Sequence, residues 1–126
     1  MSRPEDRRKH IRHDARFALK IGSEAVSHDQ GIATEGLNIS MGGIYCLVPR
    51  YIPLMTKLQA TLVLPMPAPQ KSGVREEKLF ETEMIVVWSD PEAEIPGRES
   101  YRIGCAFLPL PPEKKGLLKE YLDSLE

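Results

Sequence analysis

Short runs in which apolar and polar residues alternate make up most of the chain, and such runs are typical of β-strands. The first run, RFALKI, places Phe17, Leu19 and Ile21 on one face of an extended segment. Further strand-like runs cover residues 31–40, 42–49, 57–65, 77–90 and 101–110. Together with the turn residues between them, these runs predict an antiparallel barrel or sandwich of about six strands.

An internal glycine and two proline-containing segments interrupt this pattern. Gly104 lies inside the last strand-like run, where a residue without a side chain predicts a β-bulge or the close approach of another backbone. Segments 65–73 and 90–100 combine proline and glycine with polar residues, so we expect them to be exposed loops between strands.

The end of the chain changes to a helical period. An apolar stripe runs along this segment and consists of Leu117, Leu118, Tyr121, Leu122 and Leu125. Pro112 stands where a helix can begin. A helix with this stripe either covers an open end of its own barrel or provides a docking surface for a partner.

Charge is distributed unevenly along the chain. The chain has 126 residues, of which 41% are hydrophobic and 28% charged, with a formal net charge of −1. This composition predicts one soluble domain and argues against bulk binding of DNA or RNA. Positive charge is concentrated near the start, at Arg3, Arg7, Arg8, Lys9, Arg12, Arg16 and Lys20. We therefore divide the chain into a flexible arginine-rich arm at 1–15, a strand-rich body at 16–110 and an amphipathic helix at 111–126.

The cysteines and the N-terminal segment bear on location. Cys46 and Cys105 lie in apolar strand-like runs without CxxC spacing, which predicts buried free thiols. The N-terminal segment is charged and lacks the apolar core of a secretory signal, and no run is long enough for a membrane span. We therefore predict a cytoplasmic location without direct membrane insertion.

Catalytic and metal-binding motifs are not apparent in the sequence. The three histidines, His10, His13 and His28, lie in the arm and an early loop without the spacing of a zinc site. Neither a nucleophile elbow nor a Walker-type phosphate loop occurs. We predict that the chain is not an enzyme and uses neither a metal nor a cofactor.

The arm carries a candidate anion-binding motif. Arg8 and Arg12 stand four residues apart, and Arg7 precedes them. The planar guanidinium of arginine binds phosphate, or the O6/N7 edge of guanine, through two parallel hydrogen bonds, and it stacks on flat rings. The arm thus suits a ligand that combines phosphates with purines, and the alternative is a solvated basic tail.

The turn NISMGG carries a complementary set of groups. Asn38 and Ser40 face the same way on an extended segment, and they offer amide and hydroxyl groups to a base edge or a phosphate. Gly43 allows the backbone to come close to whatever binds there. The alternative is that these side chains form local hydrogen bonds that shape a hairpin.

These two motifs together resemble the PilZ domain, a family of bacterial receptors for the second messenger cyclic di-GMP. The family pattern is Arg-x-x-x-Arg, then a strand, then Asp/Asn-x-Ser-x-x-Gly; here the motifs are residues 8–12 and 38–43. The later runs MIVVWSD and YRIGCAFLPL are also similar to the family. The resemblance implies a six-stranded antiparallel β-barrel with a C-terminal α-helix.

The resemblance also implies roles for individual residues. Arg8 and Arg12 would grip the guanines and phosphates of cyclic di-GMP as the arm closes against the barrel. Asn38 and Ser40 would bind a guanine edge, and Gly43 would keep the turn that holds them. The family's second motif usually begins with Asp, so Asn38 is a departure that removes a charge-assisted hydrogen bond.

Two further residues are candidates for the ligand site. Trp88 either lines the site as a stacking surface or belongs to the core. Arg7 adds a cation, and our hypothesis is that it favours an intercalated ligand dimer. The expected function is that of a cyclic di-GMP receptor that signals to a protein effector. The alternative is a PilZ-like protein–protein adaptor that does not bind nucleotide.

Overall fold

Six antiparallel strands form a closed barrel, as the resemblance implies. The structure is a computed structural model, and it describes residues 12–22, 31–67 and 75–125. The strands are β1 (His13–Gly22), β2 (Ile32–Ile39), β3 (Gly43–Val48), β4 (Lys57–Pro67), β5 (Arg75–Asp90) and β6 (Tyr101–Phe107). They are followed by one helix, α1 (Pro112–Ser124). All six strand-like runs of the sequence thus correspond to strands.

Closure of the barrel follows from the strand order β1-β2-β3-β6-β5-β4, in which β4 pairs again with β1. Inward-facing side chains alternate along each strand and fill the interior. Fully buried members of this core include Ile39, Ile44, Leu62, Leu64, Phe80, Met84, Val86 and Ile103. The predicted face of the first strand-like run, Phe17, Leu19 and Ile21, belongs to the same core.

Strand β1 begins earlier than the sequence pattern indicates. It begins at His13, whereas we expected the arm to continue to residue 15. His13 pairs with Ile39 and Asp14 pairs with Asn38. The backbone hydrogen bonds of β2 therefore extend the strand into a segment whose side chains lack an apolar period. Arg12 consequently lies directly beside the barrel.

Helix α1 covers part of its own barrel. Leu118, Tyr121 and Leu122 are buried and belong to the same core as the strands. The helix packs on β4 and β5, and the Nζ of Lys114 donates a hydrogen bond to the backbone oxygen of Glu81. Of the two uses considered for the apolar stripe, the structure shows the first.

Both cysteines are buried free thiols, as predicted. Burial raises the pKa of Cys46 to about 12 and also raises the pKa of Cys105, where the neighbouring Cys46 adds to the effect. Within the described ranges, no cluster of three or more His, Cys, Asp or Glu residues could hold a metal ion. Nor does this part of the chain contain a helix long and apolar enough to cross a membrane.

Candidate functional site

Four positions on four neighbouring strands form a continuous row across the outside of the barrel. Asn38 of β2 pairs with Tyr45 of β3. Tyr45 pairs in turn with Gly104 of β6, and Gly104 pairs with Trp88 of β5. Directly opposed residues of antiparallel strands lie on the same face of a sheet. We call Asn38, Tyr45, Gly104 and Trp88 the outer row.

A β-bulge in β2 lies beside Asn38 of the outer row. Gly36 pairs with Cys46 and Asn38 pairs with Tyr45, so β2 advances by two residues while β3 advances by one. Leu37 is therefore the extra residue. Gly36 and Ile39 are both buried although three positions separate them, and strict alternation would place them on opposite faces. The bulge at Leu37 allows both of them to face the core while Asn38 faces outward.

A second bulge, in β5, turns Trp88 to the outer face. Met84 and Val86 are fully buried, so a regular strand would direct Trp88 into the core as well. The register shifts between Val86 and Trp88, which makes Val87 the extra residue. Trp88 is consequently 37% exposed, and Ser89, at 3%, takes the inward position. Of the two alternatives for Trp88, the structure shows a surface position. The bulge expected within the last strand at Gly104 lies instead in the opposite strand, at Val87 of β5.

Tyr45 lies against the backbone of β6 because Gly104 has no side chain. A Cβ atom at Gly104 would be only 3.2 Å from Cζ and 3.3 Å from Cε1 of the Tyr45 ring. Trp88 packs beside this ring, with 5.2 Å between the ring centroids and a tilt of 38°. The two rings form an aromatic surface on the outside of the barrel, and Gly104 provides its floor.

Arg12 lies over this aromatic surface. Its guanidinium carbon is 4.2 Å from the centroid of the Tyr45 ring, a distance typical of a cation–π contact. The Nη1 of Arg12 also donates a long hydrogen bond of 3.4 Å to the Oδ1 of Asn38. The second arginine of the first motif therefore contacts the first residue of the second motif, although 26 positions separate them.

The turn between β2 and β3 is built around Ser40. Its backbone N–H donates to the oxygen of Gly43 at 2.9 Å, and its Oγ accepts from the N–H of Gly42 at 3.1 Å. Ser40 is buried, with 4% of its surface exposed. These are local hydrogen bonds that shape the hairpin, which is the alternative to a ligand-binding role for this turn. The ligand role of Ser40 stays a prediction.

The turn also packs closely against β6 through Gly43. A Cβ atom at this position would be only 1.9 Å from the backbone oxygen of Cys105. The N–H of Phe107 donates to the oxygen of Gly42 at 2.9 Å, which joins the turn to the end of β6. Only glycine fits at position 43 because the backbone of the neighbouring strand β6 lies so close.

The structure brings three of the predicted site residues together, namely Arg12, Asn38 and Trp88. Arg7 and Arg8 lie outside the described residues. The sequence analysis did not identify Tyr45 as a site residue. A two-residue turn at Met41 and Gly42 pairs Asn38 with Tyr45. The sequence therefore contained the information needed to identify Tyr45 as a neighbour of Asn38.

The outer row and Arg12 provide three kinds of group for a ligand. The aromatic surface suits a flat ring, the amide of Asn38 offers a donor and an acceptor to a base edge, and the guanidinium suits an anion. Asp14, which is exposed, lies opposite Asn38 on β1 and adds a carboxylate at the margin. A flat polar ring that carries phosphate matches this arrangement.

Several solved structures are similar to this fold. The inhibitor of motility MotI/DgrA from Bacillus subtilis matches with a TM-score of 0.67 and 21% sequence identity, over 98% of this chain. The present chain spans only 55% of that protein. The PilZ domain of YcgR from Escherichia coli, solved with c-di-GMP, matches with a TM-score of 0.63 and 16% identity. That match covers 94% of this chain and 91% of the YcgR chain.

Comparison at the level of sequence gives one match. No curated protein matches the chain. The family model described as "PilZ domain" matches residues 6–124, which include both motifs and helix α1. With this match over nearly the whole sequence, the chain belongs to the PilZ domain family.

Proposed function

We propose that this chain is a receptor for cyclic di-GMP that closes its arginine arm over the ligand and then signals to a protein effector. PilZ domain proteins are receptors and adaptors rather than enzymes, and the similar domain of YcgR was solved with this nucleotide. The observation that carries the proposal is the position of Arg12, which lies over Tyr45 and within 3.4 Å of the Oδ1 of Asn38.

The chemistry of the ligand accounts for each group of the site. A guanine presents N1–H and N2–H donors to the amide oxygen of Asn38, and its flat ring suits the aromatic surface formed by Tyr45 and Trp88. Arg12 and the preceding Arg8 provide charge-assisted hydrogen bonds to phosphate or to the O6/N7 edge. Arg7 brings further positive charge, which favours a second, intercalated nucleotide.

The signal would arise from ordering of the arm. Ligand phosphates attract the arginines of the arm, so binding stabilises the closed arrangement and changes the surface that an effector meets. Amide hydrogen exchange of residues 5–14 should therefore slow when cyclic di-GMP is added, and an unchanged rate would contradict closure. The proposal takes the chain to be cytoplasmic, where free thiols such as Cys46 and Cys105 stay reduced.

Isothermal titration with cyclic di-GMP tests the proposal. Wild type should bind saturably, and Arg12→Ala should lose roughly 10-fold or more in affinity because a charge-assisted contact is removed. Asn38→Ala should lose about 10-fold because a base contact is removed. A stoichiometry of two nucleotides per chain would support the role of Arg7, and a ratio of one would exclude it.

Arg98→Ala is the matched control. Arg98 also lies over a tyrosine, with its guanidinium carbon 5.9 Å from the ring centroid of Tyr101, but Tyr101 is not part of the outer row. This variant should bind as wild type does. Wild type that gives no binding heat would exclude the receptor and would favour the adaptor alternative.

A further inference from the structure

The guanidinium of Arg12 occupies a position that has the properties of a base-binding site. It is a flat group of N–H donors that lies 4.2 Å from the centroid of an aromatic ring. One of its nitrogens points to an amide oxygen, the Oδ1 of Asn38, at 3.4 Å. A guanine is also flat, and its N1–H and N2–H groups also donate to such an oxygen. Arginine and guanine thus satisfy the same two neighbours, Tyr45 and Asn38.

We propose that Tyr45 is the residue on which a guanine base stacks, and that Arg12 holds this place while the ligand is absent. This inference rests on the proposed function and assigns a role to a residue outside both motifs. Binding is then an exchange: the base takes the position between Tyr45 and Asn38, and Arg12 leaves it. The released guanidinium becomes available to the phosphates or to the O6/N7 edge of the same ligand.

The surroundings of Tyr45 favour stacking on the face that Arg12 covers. The ring lies over the backbone of Gly104, within about van der Waals distance of the position a Cβ atom would take there. Trp88 packs beside it and holds its orientation. The ring is therefore supported from β6 and from β5, while the side toward Arg12 faces the ligand site. Since a supported ring loses little freedom on binding, it is well suited to stack on a base.

The strength of the contact with Arg12 is compatible with exchange. An exposed cation–π contact and a hydrogen bond of 3.4 Å are both weak, and Arg12 itself is exposed. Stacking of a base on an aromatic side chain is stronger than an exposed cation–π contact. The ligand can therefore displace Arg12 from Tyr45 without disturbing the barrel.

Titration of Tyr45 variants with cyclic di-GMP tests the inference. Tyr45→Phe keeps the ring and should bind within about 3-fold of wild type, while Tyr45→Leu removes it and should bind about 10-fold or more weakly. Tyr51→Leu is the matched control, because Tyr51 packs on Tyr101 and Tyr101 is not part of the outer row. This control should bind as wild type does.

The NMR signal of the Arg12 side-chain Nε–H provides a second, independent readout. In wild type without ligand it should show the ring-current shift of a group above Tyr45, and it should lose that shift in Tyr45→Leu. Addition of cyclic di-GMP to wild type should also abolish the shift. A shift that persists in the saturated complex would overturn the exchange, whatever the affinity of the variants.

The failures of the two proposals can be told apart. If wild type binds cyclic di-GMP and Tyr45→Leu binds equally well, the stacking role is wrong and the receptor function stands. If wild type does not bind, both are wrong. Tyr45→Phe that binds as weakly as Tyr45→Leu would assign the effect to the hydroxyl and would also overturn stacking.

Discussion

Trp88 lies directly opposite Gly104 on the outside of the barrel, next to the ring of Tyr45. The missing side chain at Gly104 leaves the space in which the two rings come within 5.2 Å of each other. One glycine in β6 thus supports an aromatic surface whose members come from β3 and β5. This surface and Arg12 together form the candidate site.

Substitution of Gly104 by alanine should disturb this surface more than it disturbs the fold. The new Cβ atom would lie 3.2 Å from the Tyr45 ring, which must shift by a few tenths of an ångström, and 3.4 Å from the Cβ of Trp88, which is an ordinary van der Waals contact. Because both are partly exposed, we expect a loss of about 1 kcal/mol or less in the free energy of unfolding. Urea unfolding and the fluorescence of Trp88 check this; a loss several times larger would mean that the rings cannot move.

Gly43→Ala should be strongly destabilising. The Cβ atom would meet the backbone oxygen of Cys105 at 1.9 Å, and a backbone clash cannot be relieved by a change of rotamer. We expect a loss of about 3 kcal/mol in the free energy of unfolding. Gly116→Ala in α1 is the control, since it has open space and should stabilise the helix by about 1 kcal/mol. Equal effects of the two changes in urea unfolding would contradict this account.

Stability should fall at alkaline pH because of the buried thiols. Burial raises the pKa of Cys46 from 9.0 to about 12 in the folded state, whereas in the unfolded chain this thiol titrates near its ordinary value. Above pH 9 the unfolded state therefore binds fewer protons than the folded state. The free energy of unfolding should then decrease as pH rises, by at most about 1.4 kcal/mol per pH unit for each thiol.

Urea unfolding at a series of pH values measures this slope. Cys46→Ala should lower stability at every pH because it leaves a cavity, but its stability should decrease less steeply between about pH 9 and 11. Comparison with wild type cancels the titration of lysines and tyrosines common to both proteins. Parallel curves for the two proteins would show that Cys46 does not contribute to the decrease.

The packing of α1 on the barrel predicts a large effect for Leu118→Ala. Leu118 is fully buried in the same core as the strands, so truncation should cost about 3 kcal/mol in the free energy of unfolding. Lys119→Ala, on the exposed side, removes only a surface ion pair with Asp123 and should change stability by about 0.5 kcal/mol or less. Similar unfolding midpoints for Leu118→Ala and wild type would show that the helix contributes little to the core.

Local patterns in the sequence were sufficient to predict the strands, the helix and the buried thiols. The alternation of Phe17, Leu19 and Ile21 indicates a strand with one buried face, because successive side chains point to opposite faces of an extended backbone. Leu118 and Leu122 indicate a helix, because residues four positions apart lie on the same face of a helix. These features depend on neighbours in sequence, and the two motifs likewise identified Arg12 and Asn38 as candidates.

The positions of Gly104 and Trp88 in the outer row depend instead on pairing that no single stretch of sequence shows. By alternation alone, Trp88 would share the inward face of Val86, and only the extra residue Val87 in β5 turns it outward. Asn38 and Tyr45, by contrast, are paired by the local turn at Met41 and Gly42, and the bulge at Leu37 allows Gly36 on the same strand to be buried. A bulge forms where the hydrogen-bond registers of adjacent strands differ by one residue, so its effect on a side chain is settled when the barrel closes.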